Sequence, residues 1–66
     1  MSAKEWYSVE LTNEYADLFK YYLRENKIYF EPSSAYNLVH FECLMTKDEY
    51  EMTQSFLELI HLATKQ

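Results

Sequence analysis

The chain has 66 residues, 48% of them hydrophobic and 18% aromatic, with a formal net charge of −5. This composition is too apolar for a disordered tail, and the excess of carboxylates argues against direct binding to nucleic acid or to an anionic membrane. No stretch approaches the roughly 20 apolar residues of a membrane span, and the N-terminus lacks a signal-peptide pattern. We expect a cytoplasmic protein, because Cys43 is the only cysteine and a lone thiol is typical of reducing compartments.

A chain of this length lies near the lower limit for independent folding, since it buries only about 60% of the surface of its unfolded form. We expect residues 1–66 to form a single domain, because the sequence shows no linker, repeat or low-complexity segment. One cysteine and two distant histidines, His40 and His61, do not match the spacing of a structural zinc site. Oligomerisation remains as the available source of additional stability.

Two segments near the N-terminus show clear periodicity. In residues 6–11, apolar and polar side chains alternate, which predicts a half-buried strand. Thr12 and Asn13 then provide N-capping side chains for a helix, and Asn26 provides a C-cap at its end. The helix is predicted from a continuous apolar stripe formed by Tyr15, Leu18, Phe19, Tyr22 and Leu23.

Two further strands are predicted in the middle of the chain. Residues 27–31 alternate again, and Pro32 is expected to end this strand because proline cannot donate a ladder hydrogen bond. The chain contains no glycine, so a tight turn that requires positive φ is not expected. Residues 33–37 are therefore predicted to form a longer loop, followed by a third strand over residues 38–45.

A second helix is predicted from Lys47 to about Thr64. Thr46 and Glu49 match the capping box, in which each side chain accepts a hydrogen bond from the backbone N–H of the other residue. The helix carries two apolar rows, one with Tyr50, Leu57 and Ile60 and the other with Met52, Phe56, Leu59 and Ala63. The second row is either buried within this small domain or packed against another subunit.

The order of these elements predicts a two-layer α+β fold, β-α-β-β-α. A strand-helix-strand unit favours parallel strands, and the second and third strands should be antiparallel neighbours. The simplest result is a three-stranded sheet of order 1-3-2 with both helices on one face, a ferredoxin-like arrangement that lacks the last strand. The first strand then lies at an edge with no proline and with Glu10 as its only charge. We expect this edge to pair with a second copy in a homodimer.

The sheet face turned away from the helices allows three interpretations. As a base-stacking platform it would repel phosphate, because it carries three glutamates and a single lysine. His40 and Glu42 share this face, and with Glu10 and Glu31 nearby they suit a metal or acid–base site. Polar residues are also the default on the open face of an antiparallel sheet, and we predict no cofactor and no metal.

The third interpretation is a protein-binding surface, because exposed apolar and aromatic residues are typical of interfaces. The predicted contact residues on the sheet are Trp6, Tyr29, Leu38 and Leu44. The predicted contact residues on the last helix are Met52, Phe56 and Leu59.

We therefore expect a small, acidic, non-enzymatic interaction module that self-associates. An enzyme is not expected, because a glycine-rich phosphate loop is impossible, Cys43 lies on the core face, and so short a chain leaves little room for a pocket. One alternative is an acidic inhibitor or antitoxin-like protein that occludes a nucleic-acid-handling partner through Asp48, Glu49, Glu51 and Glu58. Another is a regulatory domain that binds a metal or small molecule.

Overall fold

The described residues form a three-stranded antiparallel sheet with two helices packed on one of its faces. The computed structural model of the protein describes the backbone of residues 3–63 and the side chains of residues 3–61. Its elements are β1 (Glu5–Thr12), α1 (Asn13–Glu25), β2 (Tyr29–Ala35), β3 (Leu38–Met45) and α2 (Lys47–Ala63). β3 pairs with β1 and with β2, which confirms the predicted order 1-3-2. The predicted helix end at Thr64 lies outside the described residues.

The core lies between the helices and the sheet face that the alternation predicted. The residues of β3 that face the helices are all buried: Val39, Phe41, Cys43 and Met45. Phe19 of α1 is fully buried and meets the Phe41 ring edge-on, with ring centroids 4.9 Å apart. Leu18 departs from the predicted stripe, since it is 51% exposed while Ala16 is buried. The buried residues of α1, Ala16, Phe19 and Leu23, lie on one side of the helix. Leu18 lies at the border of this side, where the sheet does not cover it.

The β2–β3 hairpin differs from the prediction. Pro32 does not end the strand, because β2 continues to Ala35 and Pro32 lies opposite Phe41. The hairpin closes with a two-residue turn whose first residue, Tyr36, has φ 57°. This is the left-handed region, which glycine occupies without steric cost and other residues do not. The prediction of a longer loop over residues 33–37 was wrong, because the turn is made without glycine.

The pattern of hydrogen bonds explains why Pro32 fits within β2. The Asn13 N–H donates to the Asn37 carbonyl at 3.0 Å, one step beyond the last pair of the β1–β3 ladder. Asn13 and Asn37 are thus a hydrogen-bonded pair, and bonded and non-bonded pairs alternate along antiparallel strands. The odd-numbered residues of β1 therefore bond to the odd-numbered residues of β3. The even-numbered residues of β3 direct their backbone groups to the other side and bond to β2. The pair of Pro32 with Phe41 is therefore a non-bonded one. The nitrogen that lacks a hydrogen faces the outer edge of β2, where proline is tolerated.

α1 ends in a Schellman motif that contains no glycine. Asn26 is the C-cap as predicted, but the left-handed residue is the next one, Lys27, with φ 55°. The N–H groups of Lys27 and Ile28 donate to carbonyls of the last turn of α1 at 3.1 and 2.9 Å. Ile28 and Leu23 are both buried, as expected for the apolar contact of this motif. Because the motif uses these residues, β2 begins at Tyr29, two residues later than predicted.

The two helices begin in different ways. The predicted capping box of α2 is confirmed, because the Thr46 N–H donates to the Glu49 carboxylate at 2.8 Å and the Glu49 N–H donates to the Thr46 hydroxyl at 3.1 Å. At α1, Thr12 is the N-cap residue, but its side chain makes no capping bond within the described structure, contrary to the prediction. β1 runs directly into α1, and the hairpin carbonyl accepts the Asn13 N–H instead. Within residues 3–63, neither helix has the length and apolar character needed to span a membrane.

Candidate protein-interaction site

Three of the four contact residues predicted on the sheet lie together at one end of its open face. Leu44 of β3 is opposite Trp6 of β1 on one side and Tyr29 of β2 on the other. The Trp6 and Tyr29 rings meet edge to face, with centroids 6.0 Å apart, and Trp6 remains 52% exposed. The Tyr29 hydroxyl donates to the Glu31 carboxylate at 2.9 Å, and this bond raises the pKa of Tyr29. An exposed aromatic cluster of this kind suits a protein contact.

The fourth predicted residue, Leu38, lies at the opposite end of the same face. It is the first residue of β3, opposite Thr12 and Ala35, and it is 43% exposed. Polar side chains separate it from Leu44. A single copy of the chain therefore does not bring Leu38 into contact with the aromatic cluster.

The polar side chains between these ends form a hydrogen-bonded network. The Ser8 hydroxyl donates to the Glu42 carboxylate at 3.1 Å, and the His40 Nε2 lies 2.7 Å from the same carboxylate. The His40 Nδ1 lies 3.7 Å from a Glu10 oxygen, whereas Glu31 bonds to a tyrosine instead. The predicted pairing of His40 with Glu42 and Glu10 is thus present. Among residues 3–61, however, no group of three or more His, Cys, Asp or Glu side chains is arranged to hold a metal ion.

The charges of this network depend on pH. The hydrogen bond with Glu42 raises the pKa of His40 above its ordinary value of 6.5, against a smaller opposing effect of burial. The hydrogen bonds with His40 and Ser8 lower the pKa of Glu42 below its ordinary 4.5. Protonated His40 therefore stabilises the folded chain fully at pH values below the pKa that this histidine has in the unfolded chain. This stabilisation is lost as the pH rises through the pKa that it has in the folded chain. The Glu42 contribution is complete above its unfolded pKa and is lost as the pH falls through its folded pKa.

We expect the difference in unfolding free energy between the wild-type protein and His40→Gln to be largest between about pH 4.5 and 6.5. It should shrink as the pH rises through the raised pKa of His40 and as the pH falls through the lowered pKa of Glu42, because one partner loses its charge at each extreme. Urea unfolding across this range measures the difference, and an NMR titration should place the His40 midpoint above 6.5. The variant His61→Gln keeps only the His40 signal, so it shows which of the two histidine signals belongs to His40. A His40 midpoint at or below 6.5 would contradict the prediction.

The contact residues predicted on α2 divide into exposed and packed ones. Met52 and Leu59 are exposed, with Leu59 at 66%. Phe56 is half-buried and stacks on Tyr22 of α1, with ring centroids 4.2 Å apart. Phe56 therefore holds the two helices together, and Met52 and Leu59 border this contact on the solvent side. The Ala63 side chain, also predicted in this row, lies outside the described residues.

The acidic side chains of α2 have divided roles. The Glu49 carboxylate is bonded within the capping box, and Glu58 lines a groove described below. Asp48 and Glu51 are exposed at the start of the helix. Of the four acids predicted for an inhibitor surface, Glu49 thus has a position explained by the fold, since it caps α2.

Cys43 is buried among the core residues of β3. Burial raises the pKa of its thiol to about 11, and the charge of Glu42 adds to this shift. The thiol is therefore protonated at neutral pH, and only the thiolate is a strong nucleophile. This environment is that of a structural cysteine.

A groove of about 670 Å³ lies at the C-terminal end of β1, and we call it the β1 groove. It is lined by Leu11 and Thr12 of β1, Tyr15 of α1, Leu38 of β3, and Leu57 and Ile60 of α2. The polar side chains of Glu10, Gln54, Glu58 and His61 also line it. Sequence reasoning missed this groove, because it forms only where the second half of α2 lies beside β1. The one available signal was the width of the apolar stripe on α2.

The outer edge of β1, which we call the β1 edge, runs along the same side of the sheet. Among the described strands, only β3 pairs with β1, so the other edge of β1 has unpaired backbone groups. The alternation of the ladder assigns these groups to the even-numbered residues Trp6, Ser8, Glu10 and Thr12. The outer edge of β2 differs, because Pro32 interrupts its row of donors. The β1 edge is therefore the better template for an added strand.

No protein-family model, curated protein or solved structure matches the chain.

Proposed function

We propose that this protein is a non-enzymatic protein–protein interaction module that forms a homodimer through the β1 edge. The supporting observation is the difference between the two sheet edges. The β1 edge presents backbone donors and acceptors from Trp6 to Thr12 without a proline, whereas Pro32 interrupts the edge of β2. Unpaired edges of this kind are templates for pairing with another strand. Two copies paired about a two-fold axis would join their sheets into one continuous sheet.

The size of the molecule is compatible with such a dimer. A stable interface of standard size buries roughly 800 Å² of each partner, about one sixth of the 5018 Å² surface described here. Backbone pairing of one strand covers only part of that area. The remainder would come from side chains beside the edge, where Trp6 is half exposed and the β1 groove is open.

We do not propose a catalytic role for this protein. The Cys43 thiol is buried and protonated, and both ring nitrogens of His40 lie next to carboxylates. A cytoplasmic location belongs to the proposal, because a buried, unpaired thiol is stable in a reducing compartment.

Ser8→Pro tests the homodimer, because it removes an outward N–H at the centre of the β1 edge and leaves the bonds from β1 to β3 in place. We expect the wild-type protein to sediment at about 16 kDa, twice its 8.0 kDa mass, at a concentration on the order of 10 μM. Ser8→Pro should sediment at 8.0 kDa with an unchanged far-ultraviolet circular dichroism spectrum. Its dimer dissociation constant should rise by roughly 100-fold or more, because proline blocks the approach of a strand.

Ser34→Pro is the matched control, because Ser34 faces the outer edge of β2 in the same way that Ser8 faces the β1 edge. This variant should remain a dimer. A wild-type mass of 8.0 kDa at all accessible concentrations would show that the homodimer is wrong. Dissociation by Ser34→Pro without dissociation by Ser8→Pro would assign the interface to β2.

A further inference from the structure

We propose that the β1 groove binds the Trp6 side chain of a second copy of the chain. This inference rests on the proposed homodimer and adds to it the register of the two strands and the principal side-chain contact. The groove lies at the C-terminal end of β1, and Trp6 lies near the N-terminal end. Antiparallel pairing about a two-fold axis brings these opposite ends together, so each groove receives the N-terminal end of the other β1.

The side chains of β1 favour a register centred on Val9. Residues that pair must have the same parity, because only even-numbered residues present backbone groups at the β1 edge. With Val9 opposite the partner's Val9, Tyr7 lies opposite the partner's Leu11 on the face that carries the helices. Trp6 lies opposite the partner's Thr12 on the open face. Apolar side chains then oppose apolar ones beneath the helices, as cross-strand pairing requires.

Neighbouring registers are less favourable. A register centred on Ser8 places the Glu5 carboxylate opposite the partner's Leu11, on the face that carries the helices. A register centred on Glu10 places the Glu10 carboxylate opposite the partner's Glu10, and like charges directly opposite each other destabilise a sheet. The pattern of charges therefore supports pairing about Val9.

In this register the indole of Trp6 reaches the part of the groove formed by the partner's Thr12 and the partner's Leu38. Both residues line the groove, and they are neighbours across the β1–β3 pair. Trp6 is not held tightly in one copy, because it is half exposed and meets Tyr29 only edge-on. A change of its χ1 rotamer exchanges that contact for the groove. The two predicted contact residues that a single chain keeps apart, Trp6 and Leu38, then meet between copies.

The charges at the two ends of β1 are also complementary. Lys4 precedes the strand and is exposed, whereas the C-terminal end carries Glu10 and, in the first turn of α1, Glu14. Antiparallel pairing brings Lys4 to the end that carries the partner's Glu10 and the partner's Glu14. Glu5, the residue after Lys4, projects on the opposite face of the sheet, which carries the helices. Opposite charges at the meeting ends favour this orientation of the two strands.

Disulfide cross-linking tests the register in a Cys43→Ala background, which removes the only native thiol. A mixture of Ser8→Cys chains and Glu10→Cys chains should form a mixed disulfide on oxidation, because these positions are directly opposite at about 5.5 Å between Cα atoms. A dimer of two identical variants should not cross-link, because its two introduced cysteines lie diagonally across the strand pair, roughly 7–8 Å apart. Cross-linking of Ser8→Cys alone would leave the homodimer standing and overturn the register. Absence of any dimer in sedimentation would overturn the proposed function itself.

Fluorescence tests the contact, because Trp6 is the only tryptophan. We expect its emission to shift to longer wavelength as the dimer dissociates on dilution. Leu38→Ser should raise the dissociation constant by about tenfold, as expected for a truncated contact residue in an interface. Leu18→Ser is the matched control, because Leu18 is 51% exposed on α1 and Leu38 is 43% exposed. An unchanged dissociation constant for Leu38→Ser would overturn the contact, and weakening by Leu18→Ser alone would move the interface to the helices.

Discussion

Phe19→Ala is expected to lower the free energy of unfolding by about 3–5 kcal/mol. Phe19 has no exposed surface, and its ring meets Phe41 edge-on at 4.9 Å. The rings of Tyr22 and Phe56 lie nearly parallel to it at centroid distances of 6.0 and 6.4 Å. Phe19 thus contacts the sheet, its own helix and α2, so its removal leaves a cavity where these elements meet. A domain of 66 residues has a total stability of roughly 3–10 kcal/mol, so the loss is a large part of the whole.

Urea unfolding followed by circular dichroism measures this loss, at one protein concentration because a dimer would make stability depend on concentration. The rate at which Cys43 reacts with a thiol reagent gives a second measurement, because this thiol is fully buried in the folded chain. Tyr21→Ala is the control, because Tyr21 is 54% exposed on the same helix. It should change stability by less than about 0.5 kcal/mol. A loss below about 1 kcal/mol for Phe19→Ala would contradict the packing described for this ring.

Thr53→Val is expected to cost about 1–3 kcal/mol, although valine has nearly the same shape as threonine. Thr53 is the one polar residue among the described side chains that is fully buried. Its hydroxyl donates to the Glu49 carbonyl at 2.8 Å and lies 3.2 Å from the Tyr22 hydroxyl. A hydroxyl has a single proton, so Thr53 accepts the proton of Tyr22 while it donates to Glu49. Valine removes the acceptor and leaves the partly buried Tyr22 hydroxyl without this bond.

A double-mutant cycle separates this bond from the loss of either group alone. Tyr22→Phe removes the other hydroxyl, so the double variant should be less destabilised than the sum of the two single variants by about 0.5–1.5 kcal/mol. Thr53→Ser is the control, because it keeps the hydroxyl and removes only a methyl group. Additivity of the two single variants within about 0.3 kcal/mol would show that the two hydroxyls are not coupled.

Much of the fold followed from periodicity along the chain. Alternation assigned the buried face of β3 residue by residue, and Thr46 with Glu49 marked the start of α2. Two errors lie in the β2–β3 hairpin, where pairing between strands overrides local preference. Pro32 looked like a strand end, but its missing N–H faces an outer edge and costs the ladder nothing. Tyr36 occupies a left-handed conformation because the register of the hairpin allows only two residues in the turn.

The candidate site was predictable in part. The open-face residues Trp6, Tyr29 and Leu44 were expected to form a patch, and the register of the sheet places them in one row. Phe56 was predicted as a contact residue, and the structure stacks it on Tyr22. Apart from the wide apolar stripe of α2, the β1 groove had no signature in the sequence, because its walls come from β1, α1, β3 and α2, which meet only in the folded chain.

The sequence by itself determined the order of the five elements, the sheet face that each strand buries, and the beginning of α2. These features depend on residues a few positions apart, whose spacing defines one side of a helix or strand. Only the tertiary structure decided which backbone groups face the β1 edge, that Pro32 lies within β2, and that a groove opens beside Leu11 and Thr12. These features depend on pairing and packing between distant segments, which no local pattern specifies. The surface proposed to bind a second copy depends on both kinds of feature. The alternation along β1 determines which of its side chains lie on each face, and the strand order places β1 at an edge of the described sheet.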